Sequence, residues 1–287
     1  MTRKQGVAVV SEHCCESKTR KWSDHDVFQP KRPIPRNLYL TFSLTGFVIL
    51  LTAWVTVTAA HWIDPMFLPS PWSILREGWR MAAGGELWEH TVASVTTILM
   101  GFALAAVVAV PLGILMGSFK FVEALVEPLG NFIRYLPVSA MIPLLILWLG
   151  IGRMEKVAVI FIGTFFQLIF LIADVSANRP RDLLESAYTL GARKRDVVWR
   201  VLIPAAMPGI FDNLRMTLGW AWTYLIVAEL VSAQRGLGYM ILQSMRGLNT
   251  EAIFVGLGVI GFLGLITDQS FKLLTRVLLP WSEKAGY

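Results

Sequence analysis

The chain has 287 residues, of which 55% are hydrophobic and only 16% are charged, and its mean hydropathy is +0.56. Soluble domains carry about a quarter charged residues, so this composition excludes an ordinary soluble protein and indicates a polytopic membrane protein. The net charge of +6 does not indicate nucleic-acid binding, because the basic residues lie in the gaps between apolar runs, as is usual in membrane proteins.

The first 37 residues are polar. They contain three prolines and many charges but no apolar core of a signal peptide, so we expect residues 1–37 to form a tail that is not cleaved. Cys14 and Cys15 are adjacent in this tail and have no CxxC motif or histidine cluster near them. We therefore expect two free thiols in a reducing compartment rather than a disulfide or a metal site.

Six apolar segments follow the tail, and each is long enough to cross a bilayer, which takes roughly 20 residues. The fifth segment is a span if Glu229 is tolerated within it, and the sixth if Asp268 lies near its end. Pro111 is expected to kink the second segment, and Pro137 and Pro143 to bend the third, with a gating hinge as the alternative. The segments are residues 38–60, 91–119, 135–152, 157–173, 216–234 and 252–271.

The loop between the first two segments is rich in tryptophan. Amphipathic tryptophan rings collect at membrane interfaces, so residues 61–90 are expected to contain a short interfacial helix with an aromatic belt. An outer lid over the substrate is the alternative interpretation. The tryptophans are Trp62, Trp72, Trp79 and Trp88.

Basic residues are unequally divided between the two sides of the predicted topology. If the N-terminus is cytoplasmic, the segments on that side hold 20 of the 26 Lys and Arg residues, and the outer segments hold six. Because Lys and Arg are retained on the cytoplasmic side, both termini are predicted to be cytoplasmic. The same count places Lys120 and Arg134 around one cytoplasmic loop and residues 178–208 in another.

Residues 178–208 combine many charges with a helical pattern of apolar residues. Asn178 and Pro180 are suited to start a helix, Gly191 to join two short helices at an angle, and Pro204 and Pro208 to end the element. A solvated loop would not need the periodicity, whereas a helix on the inner leaflet or a docking element for a soluble partner would. The apolar positions are Leu183, Leu184, Ala187, Tyr188, Leu190, Val197, Val198 and Val201.

The same segment resembles the EAA-x3-G-x9-I-x-L-P loop of ABC importer permeases. Ser, Val and Ile replace the first Ala, the Ile and the Leu of that pattern, and these conservative changes leave the helix and its hinge intact. In that family the loop forms a coupling helix that sits in a cleft of the ATPase subunit. The resemblance therefore implies that these residues couple to an ATPase: Glu185, Ser186, Ala187, Gly191, Val201, Ile203 and Pro204.

The resemblance extends over most of the chain from about Pro65 onward. It is similar to the nitrate/sulfonate/taurine/bicarbonate branch of the permeases, although GWAWTYL (219–225) departs from the nitrate and sulfonate patterns and leaves the substrate open. The matching stretches are FLPSPWSIL (67–75), RYLPVSAMIPLLILWLGIG (134–152), VAELVSAQRGLGYMI (227–241) and LTRVLLPW (274–281).

The resemblance implies an all-α polytopic fold, namely the MetI-like transmembrane domain of a type I ABC importer. This domain would occupy residues 38–287, with about six transmembrane helices and the coupling loop 178–208. It also implies a homodimer in the cell inner membrane, with two ATP-binding cassette ATPases and an external substrate-binding protein. Such an assembly imports a small anion of the taurine/sulfonate, nitrate or bicarbonate class by alternating access.

Catalytic motifs are absent from the sequence. There is no GxxxxGK[ST] loop for ATP phosphates, no HExxH and no GxSxG, and the four histidines are scattered over tails and loops. We therefore expect a non-catalytic permease that binds no cofactor or metal itself, with ATP and Mg on the partner ATPase. An intramembrane enzyme is disfavoured, and a passive channel or anchor whose basic helix binds lipid is the remaining alternative.

Polar residues inside spans must face protein or water, because burying them in lipid is costly. Glu229 is the outstanding case: it is either a pathway or gate residue or a buried carboxylate hydrogen-bonded between helices. Asp174 and Asp268 are expected near cytoplasmic helix ends without a special role. In the family the pathway lies between two permease copies, lined chiefly by the third to fifth spans, which implies these candidates: Ser139, Met141, Gln167, Trp220, Thr223, Tyr224 and Glu229.

Overall fold

A computed structural model describes residues 36–178 and 181–281, without the side chains of residues 36, 181, 184 and 194. Cys14, Cys15 and Pro180 lie outside the described residues, as does the tail up to residue 35. Within the described ranges the chain is helical. The elements are α1 (Arg36–Ala59), α2 (Pro71–Ala83), α3 (Glu86–Ser118), α4 (Lys120–Arg134), α5 (Val138–Leu149), α6 (Arg153–Ala177), α7 (Arg181–Thr189), α8 (Lys194–Asp196), the π-helical segment (Val197–Leu202), α9 (Ile203–Ser232), α10 (Leu237–Arg246) and α11 (Thr250–Leu278).

The chain divides into two compact units, one that ends at Trp54 and one that begins at Val55. The described part of the first unit belongs to α1. Its Thr41 and Thr45 hydroxyls donate to backbone carbonyls four residues earlier, at 2.9 and 2.8 Å. A helix that satisfies its own polar groups in this way is suited to lipid, where no water is available to bond them. The second unit contains α2 to α11.

Four helices are long and apolar enough to cross a membrane by themselves, namely α1, α3, α6 and α11. Two bent pairs pass the same test together: α4 with α5, which meet at 95°, and the π-helical segment and α9 with α10, which meet at 49°. The total reaches the six predicted spans when each pair counts as one. The described chain is therefore an all-α membrane domain.

The third predicted span, residues 135–152, is not one straight helix. Its helical part, α5, has only 12 residues, and Pro137 is the N-cap at the sharp break from α4. A proline disfavours helical geometry in the residue before it, so the chain leaves α4 before it can enter α5. The bend expected from Pro137 is present, whereas Pro143 lies inside α5.

Small residues on one face of α3 let it pack closely against α6. Gly101, Ala105, Ala109, Gly113 and Gly117 recur at every fourth position, which is one stripe of a helix. A Cβ atom at Gly113 would lie 2.9 Å from the Ile169 carbonyl oxygen and 2.8 Å from the Ile172 Cβ atom. Stripes of this kind bring the backbones of membrane helices together. The contact between α3 and α6 forms the centre of the second unit.

The helix that leads into α9 does not stop at its prolines, so the predicted termination at Pro204 and Pro208 is wrong. The π-helical segment continues directly into α9, and Pro204 lies in the first turn of α9. Pro204 lacks the N–H that a helix interior would donate, and it lies at the change from π-helical to α-helical geometry. Pro208 lies within α9.

Asn178 ends a helix instead of starting one. Its N–H donates to the Asp174 carbonyl as the C-cap of α6, and its side-chain amide donates to the Asp174 carboxylate at 2.7 Å. The prediction of a helix start at Asn178 is therefore wrong, and α7 begins at Arg181. Asp174 lies near the C-terminal end of α6, as expected from the sequence.

The predicted short helix between the first two spans is present as α2. Ser70 caps it by accepting a hydrogen bond from the Ser73 N–H at 3.1 Å, and Pro71 occupies the first turn. The four tryptophans of this region have exposed side chains, as expected of an aromatic belt at an interface.

A charged cluster joins α2 to the start of α11. Arg80 donates hydrogen bonds to both oxygens of Glu77, and the Asn249 side chain donates to Glu77 Oε1 at 3.1 Å. Asn249 in turn caps α11 by accepting from the Ala252 N–H. The hydrogen bonds from Arg80 lower the pKa of the Glu77 carboxyl, so this clamp is stable at neutral pH.

Candidate functional site

A cavity with both apolar and polar lining residues lies between the bend of α4 and α5, the middle of α6 and the middle of α9. Its volume is about 380 Å³, which is in the range of small-molecule sites. Four of the predicted pathway candidates, one or more from each of the three walls, line this cavity: Ser139, Gln167, Thr223 and Tyr224.

The other three candidates are not among the lining residues of this cavity. Met141 packs against a hydrophobic cluster of α5, α6 and α9 that includes Ile142. Trp220 is partly exposed on α9, one turn before Tyr224. Glu229 is buried elsewhere, at the end of α9.

Close helix approach forms one wall of the cavity. A Cβ atom at Gly163 of α6 would lie 2.7 Å from the Tyr224 ring of α9, so only glycine allows the ring to lie flat against α6 here. Gln167, one turn further along α6, has a buried Oε1 atom without a hydrogen-bond partner in the described part of the chain. The cavity thus contains a free acceptor beside several hydroxyl groups.

Arg134 also lines the cavity, and the sequence reasoning missed it. The basic-residue count assigned it to a cytoplasmic loop, but it is the last residue of α4 and lies beside α6. Its guanidinium carbon is 4.7 Å from the ring centroid of Phe170 and 5.0 Å from that of Tyr135. The available signal was its position directly before an apolar run that begins with a proline.

Glu229 forms a buried hydrogen-bond network between α3, α9 and α10. Its carboxylate is 1% exposed and accepts from Ser94 Oγ at 2.7 Å and from the Gly238 N–H at 2.8 Å. Ser94 Oγ accepts in turn from the Leu237 N–H at 2.8 Å. This arrangement favours the second interpretation of Glu229, a carboxylate that is hydrogen-bonded between helices.

A second buried carboxylate stands at the N-terminal end of α6. Glu155 is fully buried; it accepts from Ser232 Oγ at 2.8 Å and lies 3.5 Å from the Lys156 Nζ atom. Lys156 also donates to the Gly152 carbonyl at 2.7 Å. The hydrogen bond between Ser232 and Glu155 therefore joins the end of α9 to α6.

The described residues contain no cluster of three or more His, Cys, Asp or Glu side chains that could hold a metal.

Gly191 closes α7 with a specific turn. Its φ is +80°, its N–H donates to the Tyr188 carbonyl at 2.9 Å, and the Ala192 N–H donates to the Ala187 carbonyl at 3.0 Å. This pair of bonds is a Schellman motif, which places its C′ residue in the left-handed region that glycine adopts without strain. The expected junction of two short helical pieces at Gly191 is confirmed, since α8 and the π-helical segment follow it.

The apolar positions around this turn do not form one buried face. Ala187 and Val197 are buried, but Leu183 and Tyr188 are exposed and Leu190 is 88% exposed. The side chain of Leu184 lies outside the described part of the structure. An exposed apolar surface on a short helix is typical of a site that a protein partner covers.

A family model for binding-protein-dependent transport system inner membrane components matches residues 109–279. That range includes the bent pair, the cavity and the whole segment around Gly191. The chain belongs to this family.

Individual permeases of the family are similar over most of the chain. The taurine transport system permease protein TauC of Escherichia coli (strain K12) is 32% identical over 252 residues, which is 86% of this chain and 92% of TauC. The putative aliphatic sulfonates transport permease protein SsuC of the same organism is 32% identical over 233 residues, 81% of this chain and 89% of SsuC.

Solved structures show the same fold. The inward-facing MetNI methionine ABC transporter has a chain that matches with a TM-score of 0.59 at 20% identity, over 75% of this chain and 98% of that chain. The fold is therefore the MetI-like transmembrane domain of a type I ABC importer, as the sequence predicted.

The permease is the membrane-spanning, non-catalytic subunit of an ATP-driven ABC importer in the inner membrane. ATP hydrolysis belongs to a separate ATPase subunit, and a substrate-binding protein is the second kind of partner. The family assignment favours this function over the alternative of a passive channel or a lipid-binding anchor.

Proposed function

We propose that this permease carries a small anion of the taurine/sulfonate, nitrate or bicarbonate class inward by alternating access. Two copies would form a homodimer, joined by two ATPase subunits that hold ATP and Mg and by an external binding protein. The permease chain itself would bind no cofactor. The names of the relatives TauC and SsuC refer to taurine and to aliphatic sulfonates, which supports the sulfonate class first.

The charge of the cavity is the observation that carries this proposal. Its lining contains one arginine, several hydroxyl groups and one side-chain amide, but no aspartate or glutamate. A cavity without acidic side chains beside membrane spans favours anions over cations, because the only full charge in its lining is positive. Arg134 and Ser139 are both exposed in the single chain. Their exposure suits a pathway of which a second copy of the permease forms the other wall.

The topology supports import energised from the cytoplasm. Six crossings would place both termini and the segment around Gly191 on one side, and the distribution of Lys and Arg favours the cytoplasm for that side. There the segment would dock on the ATPase through its exposed apolar surface. We retain the following residues as the proposed coupling set: Glu185, Ser186, Ala187, Gly191, Val201, Ile203 and Pro204.

Closure of the ATPase dimer on ATP would move the two coupling segments together. Because the π-helical segment continues into α9 without a break, movement of the segment would pass along α9 to Thr223 and Tyr224 at the cavity. The cavity would then open toward the binding protein and receive the anion. Hydrolysis of ATP would return the transporter to the inward-facing state.

The test is reconstitution of the permease with its ATPase and binding protein in proteoliposomes. We expect taurine or ethanesulfonate, presented by the binding protein, to stimulate ATP hydrolysis several-fold and to be taken up only when ATP is present. Ethanesulfonamide, which has a similar shape but no charge, is the matched control. Uptake without ATP would indicate the passive channel, and stimulation by neutral or cationic compounds alone would contradict anion transport.

A further inference from the structure

Arg134 occupies an unusual place for an arginine in this chain. Its guanidinium lies against Phe170 of α6, a helix long and apolar enough to cross a membrane. An ionised group beside such a helix is costly unless it is paired or faces a water-filled cavity. Arg134 faces the cavity.

No carboxylate pairs with Arg134 in the described part of the chain. The salt bridges there join other residues, and the cavity lining contains no acidic side chain. Instead the guanidinium is held by the faces of Phe170 and Tyr135 and by a 3.2 Å hydrogen bond to the Tyr135 hydroxyl oxygen. Aromatic faces orient a guanidinium without neutralising its charge.

The positive charge is therefore available to a ligand. A guanidinium presents a planar fork of N–H donors that matches two oxygens of a sulfonate or carboxylate group. Ser139 and Thr223 add hydroxyl donors to the same cavity. The lining contains no carboxylate to pair with an ammonium group, so the cavity favours the anionic end of an aminosulfonate.

We propose that the permease itself contains a binding subsite for the oxyanion group of the transported molecule, with Arg134 as its charged ligand. This inference rests on the proposed function and adds to it: the permease selects for negative charge independently of the external binding protein. Phe170 acts as a positioning residue that holds the guanidinium at the cavity wall.

Binding of radiolabelled taurine to the purified permease–ATPase complex, without the binding protein, tests the subsite. We expect saturable binding that excess ethanesulfonate displaces and ethanesulfonamide does not. Arg134→Gln should weaken this binding and raise the half-saturation of ATP-driven uptake about ten-fold or more, because a charged hydrogen-bonding pair is lost. Arg134→Lys keeps the charge without the fork and should fall between Arg134→Gln and the wild type.

Arg246→Gln is the matched control, since Arg246 is an exposed arginine at the end of α10, outside the cavity. Basal ATP hydrolysis and co-purification of the subunits show whether each variant assembles.

Assembled Arg134 variants with wild-type half-saturation would overturn the subsite while leaving anion transport intact. Should neither variant assemble, displacement of taurine by the neutral sulfonamide in the wild-type complex would overturn it equally. A wild-type complex that imports no anion would instead refute the proposed function.

Discussion

At the scale of single residues, Glu229 shows how a charged group in a span acquires a structural role. Gly236 and Gly238 follow it across the break between α9 and α10, and both pack directly on its side chain. The Gly238 N–H and the Ser94 hydroxyl then satisfy the carboxylate. A side chain at either glycine would collide with Glu229, so the glycines and the carboxylate form one unit that holds α10 against α3.

Removing the Glu229 carboxylate should therefore destabilise the permease. Glu229→Ala leaves two buried donors, the Gly238 N–H and the Ser94 O–H, without their acceptor, which costs about 1–3 kcal/mol for each unsatisfied group. Glu229→Gln retains an amide oxygen that can accept from Gly238, so its effect should be smaller. The midpoint of thermal unfolding of the purified complex measures both.

Glu127→Ala, at an exposed glutamate of α4, should leave that midpoint unchanged and serves as the control. Should Glu229→Ala instead unfold like the wild type and yet abolish uptake, the network would not be structural, and Glu229 would return to the set of pathway residues.

The sequence predicted the polar residues of the cavity better than the charged ones. Thr223 and Gln167 could be identified because they are polar positions in otherwise apolar helices of the family's pathway. Arg134 could not, because hydropathy treats a basic residue as the boundary of a span, and only the 95° bend brings this boundary into the membrane domain. Ser94, which donates to Glu229, lies 135 residues earlier in the chain, and no local sequence pattern predicts such a contact.

At the scale of helices, the same limit explains the third span. Hydropathy detects the 18-residue apolar run but not the change of direction where it begins, so it predicts a loop at α4 and a straight span at α5. The small residues at every fourth position of α3, by contrast, can be seen in the sequence itself. Its meaning depends on α6, whose bulky Ile160, Ile169 and Ile172 fill the space that these residues leave.

Enlarging a residue of this stripe should separate α3 from α6. In Gly113→Val the new side chain would meet the backbone oxygen of Ile169, which cannot move like a flexible side chain. Overpacking of this kind costs about 1–3 kcal/mol. We expect a lower midpoint of thermal unfolding and a smaller yield of assembled complex.

Gly264→Val on α11 is the control, because no atom lies within 4 Å of the position a Cβ would take there. Equal losses in the two variants would show that valine is harmful at glycine positions in general, and that close packing of α3 on α6 is not the cause.

At the scale of the whole transporter, Gly191 separates the surface offered to the ATPase from the helix that reaches the cavity. On one side lie α7 with its exposed Leu183 and, directly after the helix, the exposed Leu190; on the other side the π-helical segment continues into α9 as one helix. The sequence placed this hinge correctly, because the Gly spacing and the helical period are local properties. The continuity through Pro204 and Pro208 was missed, because a proline in a first turn has the same local pattern as one that ends a helix.

The angle at this hinge is set by a positive φ, so it should depend on the residue that occupies position 191. In Gly191→Val a β-branched residue would have to adopt φ +80°, at a cost of about 1–2 kcal/mol, or the turn would change its geometry. We expect the variant to insert in the membrane but to lose most ATPase co-purification and ATP-driven uptake. Gly191→Asn is the matched control, since asparagine tolerates the left-handed region, and it should retain most of both. Uptake by Gly191→Val at the wild-type rate would contradict coupling through this turn. Equal failure of both variants would show that the ATPase requires free space around residue 191 and not a particular backbone conformation there.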